Sequence, residues 1–353
     1  KLSQSKPQLS LHNHVTNNID GNSTQKINSK MKKTIILNLI ILFGFTALGQ
    51  ETITYNHCNC TETINYSDNG LKNGEYKLMS NDKLIEKGKY LNDKKDGLWT
   101  VNNTNGVLIS KINYLEGKLN GNFKQYYYDG QPKVIAKFDN NNPDGEWKYF
   151  SKKGKIIKQG KFENGKALGT WKIFKKNGKK IISEYDFTNK RFVKENSNQK
   201  AKNSYLPRDD ESGEYIIIRY PERSNSKTNK PLGGYLKASI EFVDLFNVPL
   251  PLMNTYTKFE YKALIQIENG SLSINELNYL EKMTFDSSKI SLPFIAQTNS
   301  PKNLFKIEHS EFLKMKVKER IFETLMVLGV WIPDSNEQIE IQIPFVLNEI
   351  NGI

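Results

Sequence analysis

The stretch Asp144-Gly145-Glu146-Trp147-Lys148-Tyr149-Phe150 decides the fold of the middle of this chain. Asp-Gly is a turn pair that tolerates positive φ, and the residues after it alternate polar with aromatic side chains, as in a half-buried strand. A second turn follows at Lys153-Gly154, residues 155–162 form a returning strand, and Asn164-Gly165 closes the unit. Residues 144–165 therefore predict one β-hairpin.

The same unit recurs along the chain, which is the signature of a repeat architecture. A glycine opens each unit, at Gly74, Gly97, Gly121, Gly145 and Gly169. An aromatic residue stands two positions later, at Tyr76, Trp99, Phe123, Trp147 and Trp171. A second aromatic recurs at Tyr90, Tyr114, Phe138 and Phe162, and a turn glycine at Gly106, Gly130, Gly154 and Gly178. Residues 71–187 therefore predict five tandem hairpin repeats with a period of about 24 residues.

The packing of such repeats follows from their size. One hairpin cannot bury its aromatic face alone, so stacked hairpins bury a continuous aromatic row against their neighbours. The predicted fold class is mainly β: an elongated array of antiparallel hairpins, followed by a small α+β domain with one main helix on an antiparallel sheet. Trp99, Trp147 and Trp171 are expected in the hairpin core, and a stacking platform for sugar rings is the alternative.

The repeat resembles a known family. Gly-x-aromatic, a downstream aromatic and Asn-Gly, as in residues 144–147 and 162–165, are similar to the MORN variant repeat of proteins grouped as the YwqK-type antitoxin family. The resemblance implies a binding role, because MORN arrays are associated with membrane lipid or protein contacts. The resemblance also implies an alternative function, that of an antitoxin-like inhibitor that would neutralise a toxin by direct binding.

Positive charge is concentrated in the repeats. The chain has a net charge of +13, and residues 71–187 alone hold 24 Lys and 13 acidic residues, a net charge of +11. This surface could favour anionic lipid or a polyanionic glycan, and for an exported protein nucleic acid is not expected. The alternative is that lysines only solvate the outward faces of the hairpins and protect their edges.

Residues 31–49 predict a secretory signal peptide, with a basic start, a short apolar run and a small-residue exit. Cleavage before Gln50 and a retained anchor are both open, although the run is short of the ~20 residues that a membrane span needs. Residues 1–30 are interpreted as an upstream, disordered segment with Met31 as the true start. The mature protein is expected in the periplasm or at the cell surface, where association with the outer membrane is possible.

Residues 50–70 are predicted to be a leader that holds both cysteines of the chain, Cys58 and Cys60. In an oxidising compartment two cysteines should not stay free, so a disulfide is expected, or else a mobile leader without chemistry. A soft-metal site with His57, Cys58 and Cys60 is the weaker alternative, because a fourth ligand is not evident. We predict no bound metal and no cofactor.

After the repeats the pattern changes. Residues 188–204 are predicted to be a linker, and 205–353 an α+β domain. Strands are expected at 215–220 and at 235–243, where apolar and polar residues alternate. Strands at 261–268 and 271–280 flank the hairpin turn Asn269-Gly270. Residues 310–328 show helical periodicity and end at Gly329, and residues 338–345 alternate as a strand.

The order of these last elements resembles the carboxy-terminal domain of TonB-family proteins, over roughly 260–350. The matching pieces are strand, Asn269-Gly270, strand, helix, Trp331-x-Pro333, turn and a closing strand that ends at Pro344-Phe345. In that family the closing strand offers an edge to which a receptor peptide adds. The resemblance therefore marks Ile339, Ile341 and Ile343 as a candidate partner-binding edge. The alternative is that these isoleucines are the inner face of the sheet.

The chain carries no recognisable catalytic motif, so no catalytic residue and no enzyme activity are predicted. The predicted function is a non-catalytic exported binding or scaffold protein of the bacterial envelope. Its repeats would present a basic surface, and its TonB-like domain would bind an envelope protein or peptide by strand addition. The alternatives are a TonB-type energy transducer for receptor transport and the antitoxin-like inhibitor.

Overall fold

The computed structural model describes residues 33–34, 49–55, 58–195, 204–207, 215–218, 230–252, 255–280, 290–292, 294–297, 305–306, 311–333 and 338–347. Two sheets dominate these residues. The first is a 14-stranded meander in which each strand pairs with the next along the chain. We call this sheet the array. Its strands are β1 (Lys33–Thr34), β2 (Gly49–Tyr55), β3 (Cys60–Tyr66), β4 (Lys72–Ser80), β5 (Lys83–Leu91), β6 (Lys94–Asn102), β7 (Leu108–Leu115), β8 (Lys118–Tyr126), β9 (Pro132–Asp139), β10 (Asn142–Phe150), β11 (Ile156–Glu163), β12 (Lys166–Phe174), β13 (Ile181–Asp186) and β14 (Arg191–Lys194).

Two-residue turns join many of these strands. In Asn140-Asn141 and Asn164-Gly165 both central residues have positive φ, between 49° and 77°. This is the turn that matches the right-handed twist of a hairpin, and it selects Asn, Asp and Gly. The prediction of a hairpin closed by Asn164-Gly165 is therefore confirmed.

The glycines that open the repeats do not form turns, which corrects one prediction. Gly145 has a φ of +68° and lies within β10, where the register with β9 shifts between Asp144 and Lys148. An extended strand accommodates a left-handed residue only as a β-bulge, and glycine is the residue that does so at little cost. The recurring Gly therefore places a bulge in each repeat.

The predicted aromatic core is confirmed. Ring centroids lie 5.1 Å apart for Phe138 and Trp147, 4.9 Å for Trp147 and Phe162, and 4.9 Å for Phe162 and Trp171. Trp147 and Trp171 have no exposed surface, and Trp99 is 3% exposed. The alternative of a sugar-stacking platform is wrong for these three residues, because their ring faces are covered by neighbouring repeats.

The predicted leader belongs to the array. β2 and β3 form a hairpin with seven directly paired positions, from Gly49↔Tyr66 to Tyr55↔Cys60. Of the predicted signal segment 31–49, the structure describes Lys33, Thr34 and Gly49, and the rest lies outside the described residues, as do residues 1–30. Among the described helices none is long and apolar enough to cross a membrane.

In the carboxy-terminal half, the described residues form a mixed sheet and two helices. Their bounds are β15 (Ser204–Pro207), β16 (Tyr215–Ile218), β17 (Lys230–Pro231), α1 (Tyr235–Leu245), a 3-10 turn (Leu250–Leu252), β18 (Thr255–Glu268), β19 (Ser271–Leu280), β20 (Ile290–Ser291), β21 (Phe294–Gln297), β22 (Phe305–Lys306), α2 (Glu311–Met326), β23 (Trp331–Ile332) and β24 (Ile339–Leu347). The sheet order is β15-β16-β21-β24-β18-β19, and β17 pairs separately with β23. This confirms the predicted fold class, a hairpin array followed by a smaller sheet with one main helix.

One predicted strand is a helix. Residues 235–243 were expected to be extended, but they form α1. Ala238, Phe242 and Phe246 are buried at a spacing of four, which is a helical period. The apolar residues of this short stretch fit both periods, and packing of one helical face selects the helix. The predicted strands at 261–268, 271–280 and 338–345, and the helix that ends before Gly329, are observed.

Candidate functional site

One face of the array, which we call the inner face, is covered by the carboxy-terminal half. Directly opposed residues form a row across this face from β3 to β13: Glu62, Leu78, Glu86, Val101, Ser110, Gln125, Val134, Tyr149, Lys158, Ile173 and Ser183. All but Val101 are buried. The row is acidic at its β3–β5 end and basic at Lys158.

The acidic end meets basic residues of α2. Lys316 forms ion pairs with Glu62 and with Glu86, the second at 3.6 Å. Arg320 bonds Glu86 at 2.5 Å and also Glu323, its neighbour on α2, at 2.9 Å. These side chains are at most 9% exposed. Each buried charge has an opposite charge beside it, which burial of an ion requires.

A second group of contacts extends this cluster. Lys95 of β6 bonds Glu319 at 2.9 Å and Glu323 at 3.2 Å, and the Tyr114 hydroxyl donates to Glu323 at 2.5 Å. The Tyr76 hydroxyl donates to Glu62 at 2.5 Å. Array and helix therefore share one buried hydrogen-bonded network.

The network holds Glu86 and Glu323 in the charged form. Burial alone would raise the pKa of Glu86, but Arg320, Lys316 and Lys95 together lower it to about 2. Burial also opposes ionisation of Glu323, and Arg320 and Lys95 keep the pKa of Glu323 below its ordinary value. A group with so low a pKa is a poor general acid or base near neutral pH. The network is suited to holding α2 in place.

The basic end of the row meets the carboxyl end of α2. The Lys158 ammonium donates to the Leu328 carbonyl at 2.7 Å and pairs with Glu241 of α1 at 2.5 Å. The Tyr149 hydroxyl donates to the Val327 carbonyl at 2.8 Å. Carbonyls at a helix end carry partial negative charge, so a cation there is favourable. The charges at the two ends of the row therefore fix the direction in which α2 lies on the array.

The opposite face, the outer face, carries a second row of directly opposed residues. It runs Thr52, Thr63, Lys77, Lys87, Thr100, Lys111, Lys124, Ile135, Lys148, Gln159, Lys172 and Glu184. We call its six lysines the lysine row. Lys77 is directly opposite Lys87, and Lys111 is directly opposite Lys124. Like charges in direct opposition destabilise a sheet, so the fold alone does not favour this arrangement.

The lysines differ in how they are neutralised. Lys77, Lys148 and Lys172 each have a carboxylate within 3.5 Å, from Glu75, Glu146 and Glu184. Within the residues that the structure describes, no carboxylate pairs with Lys87, Lys111 or Lys124. The middle of the lysine row is therefore its least compensated part.

Three exposed leucines lie on the same face as this part of the row. Leu91, Leu98 and Leu115 are 39%, 44% and 44% exposed, on the neighbouring strands β5, β6 and β7. Leu98 is opposite Asn113, and Leu115 is the next residue of β7 on the same face, so the two leucines are diagonal neighbours. The outer face therefore combines clustered cations with exposed apolar side chains.

The predicted partner-binding edge is not an edge, and we correct that prediction. β24 pairs with β18 along one side, and β20 and β21 pair with its other side. Ile341 has a partner on both sides, and Ile341 and Ile343 have no exposed surface. Ile339 is partly buried at the start of the strand. Nothing in the sequence indicated that residues 290–297 would pair with β24, because these residues are far from β24 along the chain.

The predicted metal alternative is also not formed. Cys58 and Cys60 are joined by a disulfide, so neither sulfur is available as a thiolate ligand. His57 lies outside the described residues. Among the residues described here, no group of three or more His, Cys, Asp or Glu side chains is placed to hold a metal ion.

The sequence predicted a basic surface on the repeats, but its lysines were not placed in one row, although the signal for that row was present. The residue after each repeat aromatic is Lys in four of the five units: Lys77, Lys124, Lys148 and Lys172, with Thr100 in the remaining one. A residue next to a buried aromatic in a strand points to the opposite face. The charges of the inner face, Glu62, Glu86 and Lys158, occupy one position of the 24-residue repeat. Ser110 and Val134 hold the same position in the repeats between them, so the residue type does not recur and gave no comparable signal.

Comparison with known proteins identifies a repeat in the centre of the array. No curated protein matches the chain. A solved structure of an S. aureus TarM mutant in complex with Fondaparinux, alpha-GlcNAc-glycerol and UDP is 17% identical and covers 28% of this chain. The chain spans 20% of that protein's length, and at a TM-score of 0.20 this likeness carries no argument. A family model described as MORN repeat variant matches residues 95–116, 119–140 and 143–164, and the centre of the array is thus similar to that repeat.

Proposed function

We propose that this protein is a non-catalytic, exported scaffold that binds an anionic membrane surface through the outer face of its array. The observation that carries the proposal is the lysine row on the same face as three exposed leucines. Lysines near an anionic leaflet each contribute about 1 kcal/mol of binding free energy. Exposed leucines bury apolar surface at the headgroup boundary, which a soluble glycan chain would not require.

The remaining parts of the chain fit this role. The inner face is covered by the carboxy-terminal half, so the outer face is the broad array surface left for a partner. MORN-type repeats favour a binding or scaffold role. The proposed location rests on the signal-like residues 31–49, and the carboxy-terminal half serves in this proposal to hold the array rigid.

Vesicle co-sedimentation tests the proposal. The purified chain is expected to bind vesicles with phosphatidylglycerol and not vesicles of phosphatidylcholine alone. Replacing Lys87, Lys111 and Lys124 by Gln removes about 3 kcal/mol, which weakens binding on the order of 100-fold. The matched control replaces Lys175, Lys176 and Lys179, which lie at a hairpin tip, and is expected to bind nearly as the original chain does.

Two outcomes would contradict the proposal. Equal weakening by both triple variants would mean that only net charge matters. Binding to a soluble acidic polysaccharide without binding to vesicles would assign the outer face to a glycan. As an additional test of the apolar part, Leu98→Ser with Leu115→Ser should weaken binding while the lysine row stays intact.

A further inference from the structure

The disulfide between Cys58 and Cys60 joins residues that are already neighbours in one tight turn. The two Cα atoms are 5.1 Å apart, with a single residue, Asn59, between the cysteines. A disulfide stabilises a fold chiefly by restricting the unfolded chain, and the effect decreases with the size of the loop that it closes. A three-residue loop is close to the lower limit, so this bridge adds little stability.

Other contacts already hold the turn. The Asn81 amide donates to the Asn59 carbonyl at 3.3 Å, and the Asn59 side-chain amide donates to the Asn81 side-chain oxygen at 3.1 Å. The Ser80 hydroxyl donates to the Cys58 carbonyl at 3.0 Å. The hairpin itself has seven directly paired positions. The turn therefore stays in place if the sulfur–sulfur bond is broken.

The two sulfurs differ in access. Cys58 is partly buried, whereas Cys60 has no exposed surface and lies directly opposite Ser80 in the sheet. Attack on a disulfide requires an approach to one sulfur along the bond that breaks. Of the two residues only Cys58 has exposed surface, so an incoming thiolate is expected to attack the Cys58 sulfur.

We propose that Cys58–Cys60 is an exchangeable redox pair that accepts two electrons from an exposed dithiol of another protein. A thiolate of the donor attacks the Cys58 sulfur, the bond to Cys60 breaks, and the Cys60 thiolate takes up a proton. The second donor thiolate then attacks the donor sulfur of the mixed disulfide and releases Cys58 as a thiolate, which is also protonated. The donor leaves as a disulfide, and the two protons that its thiols lost are balanced by those on Cys58 and Cys60.

The experiment equilibrates the folded full chain in glutathione buffers, followed by acid quench, thiol alkylation and intact mass. The pair is expected to become half reduced in a buffer that leaves the structural disulfide of a reference secreted domain fully oxidised. Reduction should lower the thermal midpoint by less than about 3 °C, as a small stability change would in a chain of this size.

Single variants test the assigned direction of attack. In Cys60→Ser the remaining Cys58 thiol should form a mixed disulfide with glutathione, and in Cys58→Ser the buried Cys60 thiol should do so at least about ten-fold more slowly. Resistance of the pair to all buffers that spare the reference domain would overturn the proposal. Loss of the folded array on reduction, or faster modification of Cys60, would overturn it as well.

Discussion

At the residue scale, glycines in the array make room for tryptophan rings. A Cβ atom built on Gly160 would lie 2.1 Å from the Trp171 ring, and one on Gly88 would lie 2.1 Å from the Trp99 ring. Neither glycine needs a left-handed backbone, so the requirement is one of space. Trp171 has no exposed surface into which its ring could shift.

Gly160→Ala is therefore expected to destabilise the protein by about 1–3 kcal/mol, the usual cost of overpacking a filled core. The measurement is the midpoint of urea unfolding. Lys161→Ala, at the next position of the same strand, where the side chain is 53% exposed, is the control and should change stability by less than about 0.5 kcal/mol. Equal stability of the two variants would show that the Trp171 ring can move.

At the element scale, α2 is held by contacts at both of its ends. Lys316 and Arg320 meet the acidic end of the inner row, and Lys158 meets the Leu328 carbonyl just after the helix end. Lys158 is 1% exposed, whereas Lys161, three residues later on the same strand, has a side chain that is 53% exposed. These two lysines allow a matched comparison within one strand.

Lys158→Gln should cost about 1–3 kcal/mol, because it leaves the partly buried Glu241 carboxylate paired with Lys237 only and removes the cation from the Leu328 carbonyl. Lys161→Gln should change stability by less than about 0.5 kcal/mol, since its pair with Glu163 is exposed to solvent. Chemical denaturation of both variants provides the measurement. A similar, small effect in both would mean that the contact at the helix end contributes little.

At the scale of the whole molecule, acid should loosen the attachment of the carboxy-terminal half to the array. Glu86 of the array and Arg320 of the carboxy-terminal half are 234 residues apart in sequence. Their ion pair joins the array to that half. The pKa of Glu86 falls from 4.5 to about 2 on folding, so its contribution is fully present above pH 4.5 and is lost as the pH falls through about 2. Glu323 and Glu241 also have lowered pKa values and act in the same direction.

Between pH 5 and pH 2 the original chain should lose about 3 kcal/mol of unfolding free energy from Glu86 alone. Glu86→Gln should be less stable than the original chain at pH 7. Its loss of unfolding free energy on acidification should be smaller than that of the original chain by the same amount. Urea unfolding of both proteins at several pH values measures the difference. Parallel pH profiles would show that Glu86 does not carry this dependence.

The sequence by itself determined the array. The 24-residue period specified the strands, the Asn-rich turns and the buried aromatic row, because each repeat is built from local turn chemistry and from contacts with its nearest neighbours. Gly145 was expected in a turn and lies in a bulge, but both explanations depend on the same positive φ.

Only the tertiary structure decided what covers each face and edge. The helical state of residues 235–245, the central position of Ile341 and the charges on the inner face all depend on partners far away in sequence. Glu62 meets Lys316 and Lys158 meets Leu328 across separations for which no periodic pattern exists. Pairing of buried charges is selected by the packed interior, where an unpaired ion is costly, and a linear sequence does not reveal which charges will be buried together.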